Sequence, residues 1–414
     1  MPFSDLTKKP RFLFDGGMGT MLQASGIETG ECPELLNLTH PEAIAAIQRQ
    51  YVEAGAMIVE TNTLGANAIK LEKSGCQPQL EAINAAALAI IRDRLPAGTL
   101  AALSIGPTGD FLEPYGSLTL DALYAAYAAQ MQSGRSADVF YIETQCDLAE
   151  ARVAMLAAKG CGGTPYVASF TFENGRTLMG NPPEVCAYLT QALGASAVGV
   201  NCSGGPEELL PIVQAMRAAT SLPLIVQPNA GLPQVVDGKT CFPFAPEPMA
   251  QRMQDILAAG ADGIGGCCGT TPAHIAAMAH LIEGMPAPAH PAVAPQLTTK
   301  RSLLPLDQAL ARPFTIRCAA GSDLYDLLDE AMEAQDEEAA CLLLELGDMP
   351  PEEIASLLAE GQDMFKLPLV FSAPTAAQAE AALRAYHGVA ALACAEDAAP
   401  IAAYYGAHWL GAHL

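Results

Sequence analysis

Two stretches of the sequence bring thiols together with glycine: Val200-Asn201-Cys202-Ser203-Gly204-Gly205 and Gly265-Gly266-Cys267-Cys268-Gly269-Thr270-Thr271-Pro272. Each follows an apolar run. Three thiolates from two strand ends suit an open zinc site, because three protein ligands leave zinc's fourth tetrahedral position for a substrate. The glycines let backbone crowd a metal, and the helix opened by Thr271-Pro272 favours negative charge at its start. Taken singly, cysteines are most often small core residues. The adjacent pair could also close on itself as a strained disulfide; the joint placement of all three favours the metal.

Carboxylates at strand ends form a second group. Asp15, in Phe14-Asp15-Gly16-Gly17-Met18-Gly19-Thr20, stands before a glycine turn that can offer backbone N–H groups to an amino-acid substrate. Glu143, in Tyr141-Ile142-Glu143-Thr144-Gln145, is the expected partner of an ammonium, since a buried carboxylate needs a counter-charge. The competing readings are a capping turn for Asp15 and an internal salt bridge for Glu143. Further strand-end polar residues, in Glu60-Thr61-Asn62-Thr63, Gly106-Pro107-Thr108-Gly109, Ser169-Phe170-Thr171 and Gln227-Pro228-Asn229-Ala230-Gly231, would line one rim. The seven histidines offer no two-histidine metal spacing, and His274 reads as a helix cap.

The elements that must position these residues are strands at 12–14, 57–60, 100–105, 139–143, 167–172, 197–201, 222–227 and 263–266, alternating with helical patterns that often open on proline. Strand then helix, eight times, predicts an α/β fold of the (β/α)8 TIM-barrel type over 1–284, with a doubly wound sheet as runner-up. Active sites in such barrels sit at the C-terminal strand ends, so Cys202, Cys267 and Cys268 should face one mouth. Residues 285–312 read as a proline-rich linker. Beyond it, strands at 314–318, 341–346, 369–372 and 389–394 predict a small α/β domain over 313–414, with half of a larger barrel as the alternative.

Composition narrows the class. With 51% hydrophobic residues and a net charge of -24, the 414-residue chain lacks the basic face that a nucleic-acid binder needs. Its longest apolar runs are too broken to span a membrane, and its start has no apolar signal core, so a cytoplasmic location is expected. Twelve cysteines in so long a chain would there stay reduced.

Together, Asp15-Gly16-Gly17-Met18-Gly19-Thr20, Glu60-Thr61-Asn62-Thr63, Gly106-Pro107-Thr108-Gly109, Glu143-Thr144, Asn201-Cys202 and Gly265-Gly266-Cys267-Cys268-Gly269-Thr270-Thr271-Pro272 resemble the homocysteine S-methyltransferase family. Residues 10 to about 284 look most like the homocysteine-binding barrel of its cobalamin-dependent methionine synthase branch. The resemblance implies Zn2+ on Cys202, Cys267 and Cys268, and homocysteine held by Asp15 and Glu143. Gly16, Gly17, Thr61, Asn62, Ser169 and Asn201 are expected beside the substrate. Zinc would activate the homocysteine thiol for attack on a methyl donor, giving methionine. The chain departs from the large methionine synthases: it has no Asp-x-His-x-x-Gly corrinoid motif and too little sequence after the linker for a complete folate barrel. The expected donor is therefore methylcobalamin on a separate corrinoid protein. The alternatives are a small donor, S-methylmethionine or a betaine, or a non-catalytic zinc-binding scaffold.

Overall fold

In the computed structural model, which describes residues 2–236 and 239–412, short parallel strands alternate with helices as the apolar pattern requires. The first eight are β1 (Phe12–Leu13), β2 (Ile58–Glu60), β3 (Leu100–Ile105), β4 (Val139–Gln145), β5 (Tyr166–Phe170), β6 (Ala197–Asn201), β7 (Leu224–Gln227) and β8 (Gly263–Ile264). They form one parallel sheet running from β1 through β8, β7, β6, β5, β4 and β3 to β2. A parallel bridge from Phe14 to Ile58 joins the two ends and closes the ring. The expected barrel is what the chain forms. Its strands are buried on both faces, with Phe12, Phe14, Tyr141, Val167 and Ile225 among the residues filling the interior.

A hairpin, Gln234–Val236 with Lys239–Cys241, rises from the loop after β7 and gave no signal in the sequence. The second region holds five strands where the sequence suggested four: β9 (Pro313–Arg317), β10 (Cys341–Glu345), β11 (Leu369–Ser372), β12 (Ala391–Ala393) and β13 (His408–Gly411). They are parallel and lie in chain order. Right-handed crossovers in that order put every connecting helix on one face. The other face is covered from within the stretch read as linker: the hairpin Gln296–Thr298/Leu303–Pro305 and the helix Leu306–Ala311 pack Leu297 and Ala309 against Cys341, Val370 and Ala391.

The helix Leu148–Cys161 shows how the two regions meet. Residues 148–158 are all buried, including Glu150 and Arg152, an all-round burial that a barrel helix with one solvent face would not have. Its outer face lies against the second region. There Arg152, 1% exposed, donates to the Arg384 carbonyl at 3.0 Å and to that of Leu383, at the C-terminus of the helix Ala376–Ala385. Two turns on, Lys159 donates to the Ala403 and Tyr404 carbonyls that end another helix. Cations at helix C-termini satisfy carbonyls that have no partner inside the helix.

Candidate active site

The exit of β7 fixes the cysteines. Cys202, directly after β6, donates its N–H to the Gln227 carbonyl at 3.3 Å. On the other flank Cys267 donates to the Pro228 carbonyl at 2.9 Å, and the Cys268 N–H reaches Asn229 Oδ1 at 3.1 Å. Four residues, Gln227 to Ala230, thus hold both cysteine segments; the Ala230 N–H returns to the Cys268 carbonyl at 2.9 Å. The glycines are required by closeness: a Cβ on Gly17 would lie 2.7 Å from the Cys267 carbonyl oxygen, and one on Gly266 would lie 2.4 Å from Thr270 Oγ1. Cys202 itself has φ +55°, a conformation that costs a non-glycine residue free energy and concentrates at functional sites.

The result is a trio of sulfurs lying within 4.8 Å of one another. Cys202 Sγ and Cys268 Sγ are 3.7 Å apart, far longer than a disulfide. That separation matches the edge of a tetrahedron with zinc–sulfur bonds of about 2.3 Å, which is about 3.8 Å. Hydrogen bonds from Cys202 and then Cys267 bring the Cys268 thiol down to about 3, while those with Cys202 and Cys268 push Cys267 well up. Three thiols this close share protons, which favours a cation among them. The donor set fits a tetrahedral soft metal.

Beside the sulfurs lies a carboxyl cluster. Asp15, 2% exposed, accepts the Glu60 N–H on Oδ2 at 3.0 Å, while its Oδ1 is enclosed without a partner. Glu143 accepts Ser104 Oγ at 2.5 Å on one oxygen and Asn201 Nδ2 at 3.3 Å on the other. Glu60 Oε1 accepts Gln227 Nε2 at 2.7 Å, and Tyr141 donates to the same glutamine. Burial pushes Asp15 and Glu60 well above the usual carboxylate range. The charge of Glu143 adds to both, although the Glu60 N–H works the other way on Asp15. Burial also raises Glu143, against hydrogen bonds from Ser104, Glu60 and Thr144. Three clustered carboxyls, Asp15 and Glu143 buried and Glu60 half-buried, cannot all ionise without a cation, and an ammonium placed among them would relieve the cost.

The residues anticipated from sequence divide into two sets. Asp15, Glu143, Ser169 and Asn201 converge with the cysteines: Ser169 Oγ donates to Asn201 Oδ1 at 2.8 Å, and Asn201 orients both Glu143 and Thr144, whose φ is +57°. The others brace loops. The Gly17 N–H is taken by Thr270 Oγ1 at 3.0 Å, Thr61 Oγ1 receives the Ser104 N–H, and Asn62 Nδ2 donates to the Pro33 carbonyl. Gly16 abuts Thr270 and Tyr51. His274 caps its helix, its Nδ1 accepting the Thr271 N–H at 3.2 Å, and donates from Nε2 to the Phe244 carbonyl at 2.9 Å. Ser104 carries no motif in the sequence, and Glu60 and Gln227 stood only among rim residues. Their one signal was position at a strand end.

Comparison with known proteins agrees with this geometry. The family model described as homocysteine S-methyltransferase matches residues 12–282. The chain is similar to methionine synthase of Mycobacterium tuberculosis (33% identity over 297 residues; 66% of this chain, 25% of that protein) and of Mycobacterium leprae (32% over 283 residues; 63% and 23%). The matches thus span about a quarter of those relatives' length. Among solved structures, the oxidised form of the homocysteine methyltransferase MmuM from Escherichia coli superposes with TM-score 0.57 at 25% identity, covering 67% of this chain and 97% of that one. A metallated form of the same protein matches at 24% with the same score, covering 67% and 98%. Among the described residues no helix is long and apolar enough to cross a membrane. With its barrel, its cysteine trio and a family match over most of its length, the chain belongs to the homocysteine S-methyltransferase family of enzymes.

Proposed function

We propose that the chain methylates homocysteine to methionine, with Cys202, Cys267 and Cys268 holding zinc and the donor presented by a separate corrinoid protein. The observation that carries the reading is the convergence of three sulfurs within 4.8 Å of one another, Cys202 and Cys268 at the edge length of a zinc tetrahedron, beside an uncompensated carboxyl cluster. When bound, zinc supplies Lewis acidity that keeps the substrate sulfur a nucleophilic thiolate at neutral pH. The protein's own groups do the rest. Asp15, through its unpartnered Oδ1, and Glu143 receive the homocysteine ammonium. Asn201 and Ser104 hold Glu143 in place, and the β7 exit keeps the sulfurs preorganised. Gly16, Gly17, Thr61 and Asn62 shape the loops around the substrate.

A protein donor is favoured by exposed apolar residues on loops that follow barrel strands: Leu64 after β2, Leu178 after β5, and Leu232 and Val235 after β7. Such a rim suits a macromolecular surface better than a free small molecule. We further assign residues 1–284 to the catalytic barrel, 285–312 to a connecting segment and 313–414 to a second unit; Met1, Asp237, Gly238, His413 and Leu414 lie outside the described residues. The free cysteines fit a reducing, cytoplasmic setting. The test is an assay of homocysteine with methylcobalamin, S-methylmethionine, betaine, S-adenosylmethionine and methyltetrahydrofolate. Turnover with methylcobalamin is expected. Turnover with S-methylmethionine or betaine alone would replace the corrinoid donor by a small one, and no turnover from any donor would leave the scaffold reading.

A further inference from the structure

Between the barrel and the second sheet lies a groove of about 520 Å³. Leu112, Leu118 and Leu120, on the segment that leaves β3, form one wall; Ala355, Ala359 and Ala381, on the helices Pro351–Gly361 and Ala376–Ala385, form the other. The volume lies within the range of small-ligand sites, roughly 300–1,000 Å³. His387, 8% exposed, also lines the groove, its Nδ1 enclosed without a hydrogen-bond partner among the described residues. Its ring also borders a polar cavity of only about 10 Å³ with Asp147, Lys300 and Asp363, room for about one water.

The rim is acidic. Arg384 is paired with Asp121, whereas Glu113 and Glu352 take no salt-bridge partner among the described residues. An anion would meet this rim, and a chain of net charge -24, unfavourably. We propose that the groove binds a small organic cation, an amine with an apolar body, its ammonium at Glu113 and Glu352 and its apolar part between the leucine and alanine walls toward His387. The site stands apart from the sulfur trio and rests on none of the homocysteine chemistry. Its occupant would tie the segment that begins at the barrel mouth, with Gly106-Pro107-Thr108, to the second region, so binding there would be felt as stabilisation of the contact between the two.

The test uses the purified full chain with phenethylamine as probe and phenylacetate as its anionic counterpart, followed by NMR titration and thermal shift. Saturable binding of phenethylamine with a Kd on the order of 1 mM is expected, with none for phenylacetate. The Glu113→Gln/Glu352→Gln double variant should weaken it about tenfold, and Ala359→Trp, at an exposed position that fills the groove, should abolish it. Absence of saturable binding, equal binding of phenylacetate, or binding unmoved by both variants would overturn the proposal and leave the groove to water.

Discussion

The molecule carries two sets of parallel strand ends, and they are finished differently. Around the barrel mouth Asp15, Thr61, Ser104, Glu143, Ser169, Asn201 and Gln227 are all buried. Polar groups there are arranged at a cost to folding, with an orphaned carboxylate oxygen and strained backbone at Thr144 and Cys202. At the corresponding ends of the second sheet, Arg317 and Glu345 pair with each other at 3.2 Å on the surface, with side-chain exposures of 85% and 43%. Such a pair contributes little. Where the second region meets the barrel, the buried charge is Arg152, on a barrel helix. The barrel's strand ends bury polar groups as the proposed site requires, whereas Arg317 and Glu345 at the ends of the second sheet meet solvent.

The largest effect expected from this contrast is on the mouth. Cys268→Ser should lower turnover by about a thousandfold or more and strip the metal, while far-ultraviolet circular dichroism and the unfolding midpoint of the metal-free protein stay near the parent's. Global unfolding would mean that the mouth supports the core after all. At the interface, Arg152→Ala leaves two helix-end carbonyls and a cavity, and should destabilise the chain by about 3 kcal/mol. Zinc content should not change, and denaturant melts would read the difference.

Glu60→Gln sharpens the contrast through pH. Because burial and neighbouring charge raise the folded-state value of Glu60, its contribution to stability is fully present below the unfolded carboxyl value and is lost as pH rises through the folded value. Replacing it should therefore stabilise the metal-free protein by about 2 °C or more at pH 8 and by less at pH 5, while weakening homocysteine binding. Calorimetric melts at the two pH values check the sign. The smallest effect is expected on the rim, where Leu232→Asp/Val235→Asp should slow transfer from a protein-borne donor about tenfold without altering homocysteine affinity.

Much of this could be read from the residues. The eight strands, the cysteine trio, Asp15 and Glu143 announce themselves because strand periodicity is local and thiols next to glycines are rare. The clamp formed by Gln227 to Ala230 could not be seen, since apart from Asn229 Oδ1 it works through backbone groups that any sequence supplies. Arg152 carried no signal in the sequence; it is buried where its helix meets the second region. The strand His408–Gly411 was too short to register, and the hairpin and helix at 296–311 were masked by the prolines before them.

The most direct measurement is metal analysis of the purified chain and its three cysteine-to-serine variants, paired with calorimetric titration of homocysteine into each. The account requires zinc in the parent at a single site per chain, loss of that zinc in each variant, and homocysteine binding that disappears with it. A zinc-loaded parent that ignores homocysteine, or a Cys268→Ser protein that keeps both metal and binding, would contradict it.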